Sequence, residues 1–67
     1  MNQDIFTGMW KQIKGEIKTQ WGKLTDDELD QVEGQYDKMI GKLQEKYGYT
    51  RQEAEDEMGE FLRQYAR

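Results

Sequence analysis

Apolar side chains recur at steps of three and four along almost the whole chain, and two threonine-headed boundaries interrupt the pattern. That combination constrains the fold to short amphipathic helices. Phe6, Met9, Trp10, Ile13, Ile17 and Trp21 occupy about a third of a helical wheel, which predicts one amphipathic helix from Phe6 to Trp21. In Leu24-Thr25-Asp26-Asp27-Glu28-Leu29, the Thr25 hydroxyl can accept from the backbone of Glu28 while Glu28 reaches back to Thr25. This is a capping box, and Leu24 against Leu29 supplies its hydrophobic staple. Leu29, Val32, Tyr36, Met39, Ile40, Leu43 and Tyr47 then keep helical spacing, with Gly34 placed where it would divide the run or pass through it. Gly48 follows the last periodic residue, and Thr50 with Glu53 repeats the box. The last segment places Ala54, Met58, Phe61, Leu62 and Tyr65 on one face and is expected to fray near Arg67. There is no proline, so glycine and the two threonine caps carry all the punctuation.

The resulting expectation is an all-α bundle of three to four helices forming a single domain over residues 1–67. Its core is expected to comprise Trp10, Ile13, Ile17, Trp21, Leu29, Val32, Tyr36, Ile40, Leu43, Tyr47, Met58 and Phe61. The predicted caps are Thr25, Glu28, Gly48, Thr50 and Glu53. A chain of 67 residues buries only about 60% of its unfolded surface. It has no cysteine, so neither a disulfide nor a thiolate-bound metal can staple it. Packing must carry the stability.

An internal likeness runs through the chain. Trp10, Ile13, Gly15, Ile17, Trp21 and Gly22 recur 26 positions later as Tyr36, Met39, Gly41, Leu43, Tyr47 and Gly48. Each copy leads into a threonine box. Two helical hairpins sharing one core would produce this pattern, as would coincidence within helical periodicity. Gly8, Gly15 and Gly22 are seven residues apart, as are Gly34, Gly41 and Gly48. Gly22 and Gly48 suit helix ends. Gly8, Gly15 and Gly41 look interior, where a glycine costs roughly 1 kcal/mol relative to alanine. Three readings stay open for them: tolerated surface positions or kinks, close approach of a partner, and helices kept easy to melt.

Composition removes most chemistry. Histidine and cysteine are both absent, which takes away the usual neutral-pH base, the thiol nucleophile and the commonest zinc ligands. Glu53, Asp56, Glu57 and Glu60 form one helical stripe that reads as a solvated acidic face. Asp26, Glu28 and Asp30 imitate the start of a calcium loop, but Gln31 stands where that loop requires glycine. No phosphate-cradling glycine motif is present. The reading is therefore no enzyme, no cofactor, no metal and no small-molecule substrate. The N-terminus lacks a signal-peptide pattern, and no stretch approaches the roughly 18 apolar residues of a membrane span, so a cytoplasmic protein without a membrane partner is expected.

The net charge of −4 opposes nucleic-acid binding, although the charge is unevenly spread. Residues 1–24 carry four lysines against two acids, whereas residues 25–67 carry six basic and twelve acidic residues. Lys11, Lys14 and Lys18 form a basic ridge on the first helix, and Lys38, Lys42 and Lys46 form another; both read either as solvated or weakly paired with acidic neighbours, or as a surface for an acidic partner. The first ridge together with Gly15 is the candidate partner-facing surface, either for an unknown protein or for the Glu53 stripe of a second copy.

The runs Trp10-Lys11-Gln12-Ile13-Lys14-Gly15, Trp21-Gly22-Lys23-Leu24-Thr25-Asp26-Asp27, Glu33-Gly34-Gln35-Tyr36-Asp37 and Gly41-Lys42-Leu43-Gln44 closely resemble the CsbD-like family of small bacterial proteins. Tyr47-Gly48-Tyr49 with Ala54 extends the likeness to the members found in enterobacteria and their relatives. The resemblance implies production under general stress or in stationary phase. It also implies a fold like two crossed α-hairpins, as in sterile-alpha-motif-like domains. It supplies no molecular activity, since the family is named for when its members are made. Three functional readings follow. The first is a non-enzymatic stress-response protein acting through protein interaction or self-association. The second is a hydrophilin-like, conditionally ordered protectant of macromolecules under water or osmotic stress. The third is a weak nucleic-acid binder using the basic first helix.

Overall fold

The computed structural model describes residues 2–65, with side chains from Asp4 onward, so the expected fraying near Arg67 lies outside the described residues. Among those residues the chain is all-helical. Its five helices are α1 (Asn2–Gly8), α2 (Trp10–Gln20), α3 (Asp26–Val32), α4 (Tyr36–Tyr47) and α5 (Arg51–Tyr65). The expectation of three to four helices is corrected to five by a break at Met9, added to the division at Gly34 that the sequence leaves open.

The first break falls inside the predicted Phe6–Trp21 helix. Met9 leaves helical geometry at φ −108° and ψ 9°, a bridge conformation that turns the chain between α1 and α2. Gly8 weakens the helix locally, and packing selects the bend. The turn brings Phe6, fully buried, to 5.3 Å from the Trp10 ring and 5.8 Å edge-on from Tyr36. It also lets the Thr7 hydroxyl donate to the Gly34 carbonyl at 3.0 Å. A straight helix would forgo these contacts with the start of α4.

The second break resolves the position of Gly34. Helix α3 ends in two consecutive left-handed residues, Glu33 at φ 54° and Gly34 at φ 76°. Gly34 is buried beneath Trp10, and a Cβ there would lie 3.2 Å from both Cβ and Cγ of the indole. Glycine is needed at this position for its φ and for its size.

Both predicted caps are formed. Glu28 N–H donates to Thr25 Oγ1 at 3.1 Å, and Thr25 N–H donates to Glu28 Oε1 at 3.0 Å. At the start of α5, Glu53 N–H donates to Thr50 Oγ1 at 3.1 Å and Thr50 N–H to Glu53 Oε1 at 2.9 Å. Gly48 ends α4 in a left-handed conformation, with its N–H bonded to the Gln44 carbonyl. Gly22 behaves otherwise. Helix α2 closes at Trp21, whose N–H bonds to the Ile17 carbonyl, and Gly22 follows without a positive φ.

One core joins all five helices. It contains the expected Ile13, Ile17, Trp21, Leu29, Val32, Tyr36, Ile40, Leu43 and Met58, together with Phe6, Leu24, Met39, Ala54 and Leu62. Trp10, Tyr47 and Phe61, expected inside, lie at its rim and are half-buried. Each has a partner there. Trp10 covers Gly34, and Phe61 lies 5.3 Å from Trp21. Tyr47 accepts a hydrogen bond from Lys23 N–H at 3.1 Å and holds the Lys23 ammonium 5.1 Å above its ring. Helix α5 packs against both α1 and α4, and Gly59, outside both seven-residue series, is buried on it beside Met58.

Candidate interaction surface

Helix α2 carries all four residues of the candidate partner-facing set, and their surroundings separate them. Lys14 and Lys18, one turn apart, face Asp26 and Asp30, also one turn apart on α3. Lys14 pairs with Asp30, and Lys18 meets Asp26 at 2.8 Å. The second ridge approaches α3 from the other side. Lys46 meets Glu28 at 2.8 Å, and Lys42 donates to Gln31 Oε1 at 3.1 Å. Lys38 lies 3.8 Å from Glu33 in the turn that ends α3. Five of the six lysines thus meet a partner on α3 or at its end, while Lys18 and Lys38 stay exposed, and the acidic start of α3 offsets part of the positive charge of α2.

These pairs leave an electrostatic imprint. The Lys46 ammonium hydrogen-bonded to Glu28, helped by the Thr25 N–H, holds the Glu28 carboxyl below the usual carboxylate range. Lys18 does the same for Asp26. The partner shift agrees in direction, since the bond to Glu28 raises the Lys46 ammonium. All these side chains reach solvent, so each pair individually is weak.

Lys11 and Gly15 remain. Both are exposed, and they stand one turn apart on α2. Among the described residues no carboxylate pairs with Lys11. Gly15 sits mid-helix, and nothing lies within 4 Å of where a Cβ would stand; the same holds for Gly8, Gly22 and Gly41. Gly41 is the counterpart of Gly15 in the internal likeness, and burial follows that likeness. Ile13 and Ile17 around Gly15, and Met39 and Leu43 around Gly41, are all fully buried while both glycines face out. Neither φ nor internal packing requires glycine at 15 or 41. Gly15→Ala and Gly41→Ala are therefore each expected to raise stability by about 0.5–1 kcal/mol. A urea titration should read this as a higher midpoint at unchanged slope.

The acidic stripe gathers no site. Glu53, Asp56, Glu57 and Glu60 are exposed; Glu53 is committed to its cap, Asp56 accepts from Gln52 at 2.9 Å, and Glu60 meets Arg63 at 3.2 Å. Among the described residues no group of three or more acidic side chains is placed to hold a metal ion, and no helix is long and apolar enough to cross a membrane. The engagement of the lysines with α3 is the weak pairing with acidic neighbours that the sequence allowed for them, and the identity of the partners had a signal there too. Lys14 and Lys18 are four apart, and so are Asp26 and Asp30 across an intervening turn.

The sequence profile described as CsbD-like matches residues 4–56, which run from α1 through the first turns of α5. The chain belongs to the CsbD-like family. Three CsbD-like relatives show how closely the sequence is shared. The UPF0337 protein YjbJ of Escherichia coli (strain K12) is 53% identical over 58 residues, covering 87% of this chain and 84% of the relative. That of Salmonella typhimurium is 53% identical over 58 residues, covering 87% and 83%. The UPF0337 protein pc0632 of Protochlamydia amoebophila is 51% identical over 61 residues, covering 91% and 92%. No solved structure matches this CsbD-like chain.

Proposed function

We propose that this CsbD-like protein is a non-enzymatic bacterial stress-response protein of the cytoplasm. It works by contact, with a protein partner or a second copy of itself, through the exposed face of α2 that carries Lys11 and Gly15. The observation that carries the reading is Gly15. It stands in the middle of an 11-residue helix, weakens that helix, and has open space where its side chain would be. A residue that costs stability and serves nothing inside the fold is explained by something that approaches from outside. The absence of histidine and cysteine supports a role without catalysis. Two hairpins, α2–α3 and α4–α5, crossing in the manner of a sterile-alpha-motif-like domain, belong to the same proposal.

The other two readings have less support. The pairing of Lys14 and Lys18 with α3 takes away most of the ridge on which nucleic-acid binding would rest. Closed capping boxes and one continuous core weigh against a conditionally ordered protectant.

Two measurements test the contact. Sedimentation of the purified chain over a range of concentrations, at low and high salt, reads self-association. Lys11 at the contact predicts that salt weakens it. A photoreactive residue at Thr19, one turn beyond Gly15, reads contact with any protein in stationary-phase cells. A defined crosslinked species is expected from Thr19 and not from Gln52, which is exposed on α5. Monomers throughout and no species from Thr19 would reject the reading.

A further inference from the structure

Helix α3 is tied to both of its neighbours through charge. It has seven residues and places two side chains, Leu29 and Val32, in the core, as α2 does with Ile13 and Ile17, whereas α4 places four. Its remaining ties are polar and come from both flanks: Lys14 to Asp30 and Lys18 to Asp26 from α2, Lys46 to Glu28 and Lys42 to Gln31 from α4. The Glu28 carboxylate has two tasks at once. One oxygen closes the capping box on Thr25, and the other meets Lys46 at 2.8 Å. Both ends of the helix are bounded by irregular chain: residues 21–25 before it, and the left-handed pair Glu33 and Gly34 after it. Helices α4 and α5 share the most extensive helix–helix contact in the fold, followed by α3 against α4.

We propose that α3 is a releasable strap, held across α2 and α4 by lysine–carboxylate pairs on both flanks, which detaches in acid or concentrated salt while α4 and α5 stay folded together. Every one of its ion pairs draws its negative charge from α3 itself. A fall in pH therefore acts on the Asp26 and Glu28 pairs in the same direction. The groups facing Asp26 are Lys18 and Lys14; Glu28 faces Lys46, with Glu45 nearby on the same helix; Asp30 faces Lys14. Asp26 and Glu28 are held below the usual carboxylate range, so their contribution is present above that range and is lost as pH falls through it. Detachment uncovers Lys14, Lys18, Lys42 and Lys46 together with the part of the core that Leu29 and Val32 cover. The acid form is then more basic and more apolar on that side than the neutral form.

Backbone NMR of the full chain tests this by following helical chemical shifts and amide-exchange protection helix by helix. From neutral pH to about pH 2, far enough below the ordinary carboxylate values of roughly 4 to reach carboxyls held beneath them, residues 26–32 are expected to lose helical shifts while residues 36–47 and 51–65 keep theirs. About 1 M salt, where the Debye length shrinks to about 3 Å, should loosen α3 in the same order. The triple variant Asp26→Asn, Glu28→Gln, Asp30→Asn should show the loosened state at neutral pH, because glutamine preserves the cap but not the charge. Neutralising Glu55, Asp56 and Glu60 on α5 should leave α3 in place. Coincident loss of α3, α4 and α5 in one transition would overturn the proposal, as would an α3 that stays fully protected in acid, in salt and in the triple variant.

Discussion

Phe6→Ala is expected to remove most of the domain's stability, although Phe6 lies in a seven-residue helix at the edge of the chain. The ring is fully buried and touches two other elements, Trp10 at the start of α2 and Tyr36 at the start of α4. Truncating a buried phenylalanine costs about 3–5 kcal/mol, the lost transfer energy plus the void left behind. A chain of this length has roughly 3–10 kcal/mol in total. Nothing covalent limits the loss, since the chain has no cysteine. At about 4–8 °C per kcal/mol for a small domain, circular dichroism should show the melt falling by about 12 °C or more. A melt within about 3 °C of the parent would mean that α1 is an independent appendage and that the core does not depend on it.

Gly34→Ala is expected to be the second most damaging change, and its sign is opposite to that of the same substitution at Gly15. At φ 76° a Cβ costs roughly 1–2 kcal/mol by itself. That Cβ would also stand 3.2 Å from two atoms of Trp10, so the indole must shift or the α3–α4 turn must open. Overpacking of this kind adds about 1–3 kcal/mol. Opening the turn would also strain the bond from Thr7 to the Gly34 carbonyl. Together these predict a loss of about 2–4 kcal/mol, read as a lower urea midpoint. Gly48→Ala separates the two causes. Gly48 has a similar φ of 71° but open space around it, so only the conformational part of the cost should appear. Equal losses at 34 and 48 would show that Trp10 yields without cost.

These glycines show where sequence was legible and where it was not. Gly8 and Gly34 open the two seven-residue series at matching places, yet one faces solvent at the end of α1 and the other lies under an indole in a left-handed turn. Spacing cannot distinguish them, because the difference arises from what packs above each backbone. The caps were legible for the converse reason. Thr25 with Glu28 and Thr50 with Glu53 complete their bonds within three residues, so no distant contact can revise them. The bend at Met9 depends on Phe6 reaching Tyr36, thirty positions along the chain, and a periodicity of three and four runs straight through it. Trp10, Tyr47 and Phe61 fit the apolar stripe and still lie at the rim, Trp10 and Tyr47 as the first and last residues of their helices and Phe61 within α5 against Trp21.

The lysines show the same limit at the candidate surface. Sequence reveals two cationic rows, and the fold determines that all but Lys11 find a partner on α3 or at its end. Of the candidate partner-facing set, Lys11 and Gly15 remain unengaged on α2. The account rests on the claim that Gly15 answers to an external contact and to nothing within the fold. The most direct measurement is photo-crosslinking from Thr19 in stationary-phase cells that carry Gly15→Leu. The account predicts that the variant accumulates normally, because leucine favours the helix and meets no neighbour, while the crosslinked species seen with glycine disappears. A crosslinked species of undiminished yield in the Gly15→Leu strain would contradict it.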